Sequence, residues 1–505
     1  MGSSFIYSSA HVGLKSVPVR VEADISSGLP RFTIVGLPDA AISESRERIR
    51  AAIKNSGLTF PRTRVTVNLA PANLKKQGPM YDLPIALSIL IASGAISQTN
   101  ITKTSVFLGE LSLDGEIRPV QGALLAATMC KDRKLDRVVV APDNAHEASI
   151  VKDVSTCTAN TLQELVSKLR ENSELDCHAH KPSKKPTPKN LIDFSDVRGQ
   201  DHVKRALEIA AAGNHNMLMV GPPGSGKTML ARAIPSILPS LQFDESLETT
   251  KIYSISGLLD ETYLLTERPF RHPHHTSSST ALIGGGTWPR PGEVSLAHNG
   301  ILFMDEFAEF TRKTIENLRQ PLEDKCVTIA RASGTITFPS NFMLVAAMNP
   351  CSCGFLHDPK RPCECTPGQI QKYKRKLSGP ILDRIDITIN VPRVEFDKLT
   401  SNQVSESSKN IKKRITKARQ IQLSRYKKLP IATNDQLTTR LLGKFCKLDD
   451  SSIVILKKAI DQYQLSARAY TRTLKVARTI ADLCASENIE INHLAEALRY
   501  RCTRF

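Results

Sequence analysis

The chain has 505 residues, 41% of them hydrophobic, and a formal net charge of +18. That length suggests roughly three domains, the basic balance points to a polyanionic partner such as nucleic acid, and no apolar run of about 18 residues exists to span a membrane. Eleven cysteines, an odd number in a long chain, argue against a secreted disulfide framework and for a reducing cytoplasm.

The N-terminus, MGSSFIYSSAHVG, lacks a charged start followed by an apolar core, so no secretory leader is expected. Residues 1–170 mix strands and helices. Ala41 to Lys54 reads as a helix with Ile42, Ile49 and Ile53 inward and Arg46, Arg48 and Arg50 largely outward. Arg64 to Leu69 alternates, with Val65, Val67 and Leu69 on one side, as a half-buried strand does. Phe107 to Val120 carries Asp114-Gly115 between β-type runs, a hairpin signal. Residues 171–192 are polar, with three prolines and several lysines, and read as a linker. Cys177, His178 and His180 fall there and are expected in a solvated tether rather than on a metal.

A helix is expected over Asp201 to Ala212. Met217 to Val220 then forms a short apolar strand, followed by Gly221-Pro222-Pro223-Gly224-Ser225-Gly226-Lys227-Thr228, which fits the P-loop pattern G-x-x-x-x-G-K-[ST]. The run from Met229 to Ile237 has helical composition. Strand, glycine loop and helix together form a cradle for polyphosphate: backbone N–H groups point at the charge and glycines let the main chain approach. Lys227 is expected to reach the β- and γ-phosphates of ATP, and Thr228 to hold Mg²⁺.

Ile301 to Met304 is an apolar strand ending in Asp305-Glu306. A carboxylate pair at a strand end beside a P-loop suits Mg²⁺ orientation by Asp305 and water polarisation by Glu306. His272, His274 and His275 lie upstream, split by Pro273, and no carboxylate spacing supports zinc there; structural or phosphate-proximal roles are expected. Thr311 to Asp324 reads as one helix. Cys326 to Phe338 alternates about an Arg331-Ala332-Ser333-Gly334 tip, a hairpin, and Met343 to Met348 is another apolar strand. Cys351, Cys353, Cys363 and Cys365 form two C-x-C pairs able to close a Cys₄ zinc site, although C-x-C is tighter than the usual spacing. Val404 to Lys428 is strongly basic, either a DNA-facing helix or a solvated face. Leu465 to Leu483 is an amphipathic helix.

Three N-terminal segments, Gly28–Gly57, Asn68–Leu90 and Phe107–Ala127, resemble the ComM/YifB family, which is related to the ATPase subunit of magnesium chelatase. The last of them is also similar to the protease domain of Lon. FSDVRGQDHVKRALEIAAAGNHNMLMV resembles the entry to an AAA+ ATPase, and the pattern from Gly292 to Phe307 resembles both ComM and MCM helicases. The resemblance implies an α/β protein in four parts. These are a ribosomal-protein-S5-like (Lon protease-like) α+β domain over 1–170, a linker over 171–192, an AAA+ P-loop core over 193–395 and a C-terminal helical lid over 396–505. Met80 and Leu124 fall where Lon carries its serine and lysine, so the first domain is expected to be non-proteolytic.

The same resemblance puts Gln200 near the adenine and makes Asn349, in AAMNPC, the first sensor of the γ-phosphate. Arg384 becomes an arginine finger acting on a neighbouring subunit, with a local ion pair to Asp383 or Asp386 as the alternative. Arg468 becomes the lid arginine, with Arg472 next. It implies that Gly284-Gly285-Gly286, Trp288 and Arg290 form an insert facing a central pore and that Arg331 contacts DNA, although a plain surface loop and hairpin remain alternatives. The implied protein is a hexameric ring that hydrolyses ATP with Mg²⁺ in the cytoplasm. It acts as a DNA helicase, promoting branch migration on single-stranded or branched DNA during natural transformation. The alternative is a chelatase-like or chaperone-like motor remodelling a protein partner.

Overall fold

Two hydrophobic patterns divide the chain into two kinds of sheet. Alternation in N-terminal strands such as Arg64–Ala70 puts one face in the core, whereas the uniformly apolar strands Met217–Val220, Ile301–Met304 and Met343–Met348 are buried on both faces. The computed structural model describes residues 4–178, 192–259, 264–286, 289–331, 334–356, 358–394, 405–463 and 465–501. Most of the expected linker, together with His180, Trp288, Val404 and the Ala332-Ser333 hairpin tip, lies outside the described residues.

The chain separates into two compact units, Met1–Pro186 with Ser246–Leu265, and Thr187–Glu245 with Thr266–Phe505. The first is built on β1 (Ser4–Val12), β2 (Lys15–Ser26), β3 (Arg31–Val35), β4 (Arg64–Ala70), β5 (Ser105–Phe107), β6 (Glu110–Leu111), β7 (Ile117–Arg118), β8 (Arg137–Val140), β9 (Ser155–Thr158) and β10 (Asp176–His178). Eight of these form one mixed sheet in the order β10-β9-β8-β5-β1-β2-β4-β3. Strand β4 alternates as expected, with Val65, Val67 and Leu69 fully buried. β6 and β7 pair around Asp114-Gly115, with Gly115 at φ 86°.

The helix Ala40–Asn55 is capped by Asp39, which accepts the Ile42 N–H at 2.9 Å, and buries Ile42, Ile49 and Ile53. Arg48 departs from the outward expectation. It turns towards Asp82, at 2.9 Å, because that carboxylate is completely buried and needs a cation. Met80 and Leu124 are both core residues, 6% and 0% exposed, so neither position offers a nucleophile or a base.

Two features of this unit were not legible in the sequence. β10 continues the sheet into the stretch expected to be linker, and Cys177, directly opposite Cys157 on β9, is disulfide-bonded to it. Residues Ser246–Leu265 follow the P-loop helix in sequence but cluster with the N-terminal unit. There Leu247 and Leu264 pack on its core, and Ser254 donates to the carboxylate of Glu147. Glu147 also accepts the Leu124 N–H, and its burial pushes its carboxyl up.

The second unit holds β11 (Met217–Val220), β12 (Phe270–Arg271), β13 (Gly284–Gly285), β14 (Arg290–Pro291), β15 (Ile301–Met304), β16 (Cys326–Arg331), β17 (Gly334–Pro339), β18 (Met343–Met348) and β19 (Ile387–Asn390). Five of them make an all-parallel sheet in the order β12-β15-β18-β11-β19. The helices Asp201–Gly213 and Lys227–Ile237 and the C-terminal helices Ser408–Tyr426, Ala467–Leu483 and Ile491–Arg499 contribute to its core. The single helix expected over Thr311 to Asp324 is two short ones, Arg312–Glu316 and Arg319–Asp324. Pro321 lacks the N–H that would bond back across the break at Asn317-Leu318.

Candidate nucleotide site

The strand order places the P-loop strand β11 beside β18, and β18 beside β15. Residues at the carboxyl ends of these neighbours therefore converge where an open parallel sheet binds ligands. Gly221 to Gly226 follow β11, Asp305 and Glu306 follow β15, and Asn349 follows β18.

The loop geometry requires its glycines. Gly224 and Gly226 sit at φ 75° and 86°, and a Cβ at Gly221 would fall 2.1 Å from the Val391 carbonyl oxygen. Lys227 opens the following helix, whose first-turn N–H groups have no acceptor within the helix. The Lys227 ammonium donates to the carbonyls of Gly221 at 2.7 Å and Pro222 at 2.9 Å and to Asn349 Oδ1 at 3.3 Å. Burial pulls it down to about 8, partly offset by Asp305. The Thr228 hydroxyl donates to Asp305 Oδ2 at 2.7 Å, while Asp305 Oδ1 accepts the Glu306 N–H at 2.9 Å. Gln200 donates to the carbonyls of Ser225 at 2.9 Å and Pro392 at 2.8 Å, bracing the loop from the side. A cation, a hydroxyl, two carboxylates and an amide are thus gathered around one glycine turn, and this donor set suits a triphosphate with Mg²⁺.

The cysteines meet as the spacing suggested. The sulfurs of Cys351, Cys353, Cys363 and Cys365 all lie within 4.8 Å of one another. Cys351 is 3.4 Å from Cys353 and 3.7 Å from Cys363, and Cys353 is 3.5 Å from Cys363. Four thiolates at about 2.3 Å from zinc stand about 3.8 Å apart, so this set fits a tetrahedral ion after small side-chain shifts. The cluster adjoins the P-loop: a Cβ at Gly354, itself at φ 86°, would sit 2.8 Å from Pro223 Cδ.

The arginines are more occupied than the sequence suggested. Arg384, 4% exposed, donates to the Pro380 carbonyl at 2.6 Å and pairs with Glu323 at 2.5 Å, rather than with Asp383 or Asp386. Its hydrogen bond, helped by its charge, holds the Glu323 carboxyl below its usual range. Arg468 lies 3.7 Å from Asp383 and is largely exposed, while Arg472 is committed to buried Asp386. Burial alone raises Asp386, but Arg472 and His215 hold it well below the ordinary carboxylate range.

On the basic helix Ser408–Tyr426, Arg414 pairs with Glu208 and Glu406, and Arg425 with Asp482. Lys409, Lys413 and Lys417 face outward, four residues apart. β13 pairs with β14, and β16 with β17. Arg290 and Arg331 are both exposed, and a Cβ on Gly285 would lie 3.1 Å from Arg331 Nη2, so insert and hairpin adjoin.

The histidines divide. His272 packs against Phe303 with tilted rings, centroids 4.8 Å apart, and His274 bonds Thr276, both local roles. His275, however, lies 3.0 Å from Glu306. That pairing was missed, and the only sequence signal for it was the position of the histidines just after the strand that neighbours β15.

Comparison with known proteins agrees with this geometry. Three families match: magnesium chelatase subunit ChlI over residues 193–399, subunit ChlI of Mg-chelatase over 21–144, and the ChlI C-terminal family over 405–501. Competence protein ComM of Haemophilus influenzae is 42% identical, aligned over 99% of this chain and 98% of its own. YifB of Escherichia coli is 42% identical over 99% and 97%. A rice protein described as a probable DNA helicase, MCM9, is 24% identical over 45% of this chain and 29% of its own. The chain therefore belongs to the ComM/YifB family of magnesium chelatase-like AAA+ ATPases.

Proposed function

We propose that the protein is an ATP-driven DNA motor that moves branch points during recombination in natural transformation. The observation that carries the reading is the convergence of Lys227, Thr228, Asp305, Glu306 and Asn349 at one end of the parallel sheet. The DNA substrate is supported by the full-length similarity to a competence protein, the partial similarity to a helicase and the charge of +18. Lys227 meets the β- and γ-phosphates, and Thr228 and Asp305 hold Mg²⁺, which neutralises developing charge. Glu306 polarises the attacking water and Asn349 positions it.

Subunits assemble as a ring, a hexamer, in the cytoplasm. Arg384 leaves Glu323 to reach the neighbouring site, and Arg468 reports nucleotide state to the lid. Arg290 and Arg331 contact DNA phosphates. Cys351, Cys353, Cys363 and Cys365 hold a structural zinc. The test is the ATPase rate with single-stranded, duplex and branched DNA; stimulation, largest with branched DNA, is expected. The ChlI family match favours a second reading, a chelatase-like motor acting on a protein partner. A rate flat with every DNA but raised by a protein client would support that instead.

A further inference from the structure

The cations of the helix Ser408–Tyr426 fall into two sets. Its buried face is Ile411, Ile415, Ala418, Gln422 and Tyr426. The arginines flank that face and are engaged. Arg414 pairs with Glu208 and Glu406, Arg419 donates to the Ala211 carbonyl at 2.7 Å, and Arg425 pairs with Asp482. The lysines of the opposite side are not. Lys409, Lys413 and Lys417 are exposed and make no ion pair among the described residues.

Nothing within the fold accounts for this stripe. No Asp or Glu occurs between Glu406 and Asp435. Both of those are taken, Glu406 by Arg414 and Asp435 by Lys325 at 3.0 Å. Lysines four apart on one helix repel each other. Lys409 also stands in the first turn, where the helix dipole disfavours a cation and no acidic residue offsets it. The three charges therefore work against the isolated helix and match a ligand outside it.

The spacing indicates what that ligand is. Successive lysines rise about 6 Å along the helix axis, so the three span about 12 Å. One strand of duplex DNA carries a charge about every 3.4 Å of its axis, so the stripe faces about three or four phosphates. Asn410, Gln420 and Ser424 are exposed on the same helix, and each can donate to a phosphate oxygen. The outward side thus offers cations and hydrogen-bond donors, and no carboxylate.

We infer that this stripe is a further DNA contact, with Lys409, Lys413 and Lys417 laid along the phosphate backbone of one strand. The inference rests on the reading of the protein as a DNA motor and adds a surface to Arg290 and Arg331. A lysine ammonium is a point charge on a flexible stem. The track therefore grips phosphate without reading bases, as a motor that moves along DNA of any sequence requires.

The test measures the Kd of full-length protein for labelled single-stranded oligothymidine and for a labelled duplex, across a range of salt, with a non-hydrolysable ATP analogue bound. K409Q/K413Q/K417Q should lower the slope of log affinity against log salt by about 2 for the single strand and about 2.7 for the duplex. At about 0.1 M salt its affinity for the single strand should fall about a hundredfold. Glutamine keeps the helix propensity of lysine, and melting temperature checks the fold. K413Q alone should lower the single-strand slope by about 0.7, which keeps the test open if the triple variant does not fold. K409R/K413R/K417R keeps the charges and should keep slope and affinity. K103Q/K134Q/K152Q removes the same charge from exposed lysines of the N-terminal unit and should leave the slope unchanged.

A folded K409Q/K413Q/K417Q protein with the wild-type slope would overturn the inference. So would an equal fall in K103Q/K134Q/K152Q, which would make net charge the cause. Wild type that binds neither DNA at any salt would overturn the DNA reading itself, and the inference with it.

Discussion

Burial lowers Lys227 to about 8, which makes nucleotide binding sensitive to pH. The protonated ammonium is the form that meets phosphate, and a triphosphate would raise its pKa again. Affinity should therefore be flat below pH 8 and fall above it, approaching about tenfold per pH unit. Lys227→Met should bind weakly with no such slope, and titrating Kd across pH 7 to 10 checks both. Arg384 poses a different question, since it is tied to Glu323 within its own chain. If it acts on a neighbour, inactive Arg384→Ala and inactive Lys227→Ala proteins should regain activity on mixing, because a K227A subunit still offers its arginine to an intact site. No recovery from a mixture shown to co-assemble would leave Arg384 as a structural tie.

At this scale the sequence was uneven. The P-loop and the Asp305-Glu306 pair were legible because local spacing defines them. The Glu323 partner of Arg384 and the His275 partner of Glu306 were not, since only the strand order brings them together.

Among the elements, the cysteine loop is the most open to direct test. Chelated as proposed, it should bring one zinc ion per chain, detectable by mass spectrometry of the metal, and C351S/C353S should lose it. Because a structural zinc contributes folding energy, that variant should also melt at lower temperature. Gly354 joins this loop to Pro223. An alanine there costs about 1–2 kcal/mol of left-handed strain and displaces the P-loop, so G354A should raise the Kd for nucleotide while retaining zinc.

The β16–β17 hairpin was legible from alternation alone, with Val327, Ile329, Ile336 and Phe338 all buried. Its approach to the glycine insert through Arg331 was not. Under the DNA reading, Arg331→Ala should weaken binding to all sequences alike and reduce the salt slope by about one unit. The basic helix shows the limit of reading charge from composition. Arg414 and Arg425 serve the fold, while Lys409, Lys413 and Lys417 of the outer stripe remain exposed to meet a polyanion.

Across the whole molecule, the unforeseen feature is that Ser246–Leu265 belongs to the N-terminal unit. No composition shift marks it, because Leu247 and Leu264, which pack on that unit's core, have no visible partners until the fold supplies them. A protease site placed among residues 179–191 should therefore yield two fragments that stay together on size exclusion, held through Leu247, Ser254 and Leu264. Among the described residues, no helix is long and apolar enough to cross a membrane. The P-loop strand and the apolar strands ending in Asp305 and Asn349 followed from pattern, whereas the assignment of Ser246–Leu265 to the N-terminal unit needed the structure.

The account depends on phosphate gripped at Lys227 and water activated at Glu306 driving movement of DNA. The most direct measurement is migration of a labelled branched substrate by wild type and by the K227A/E306Q double variant, with ATP and Mg²⁺. Wild type should move the branch and the double variant should not, although it still folds. Equal movement by both proteins would contradict the account.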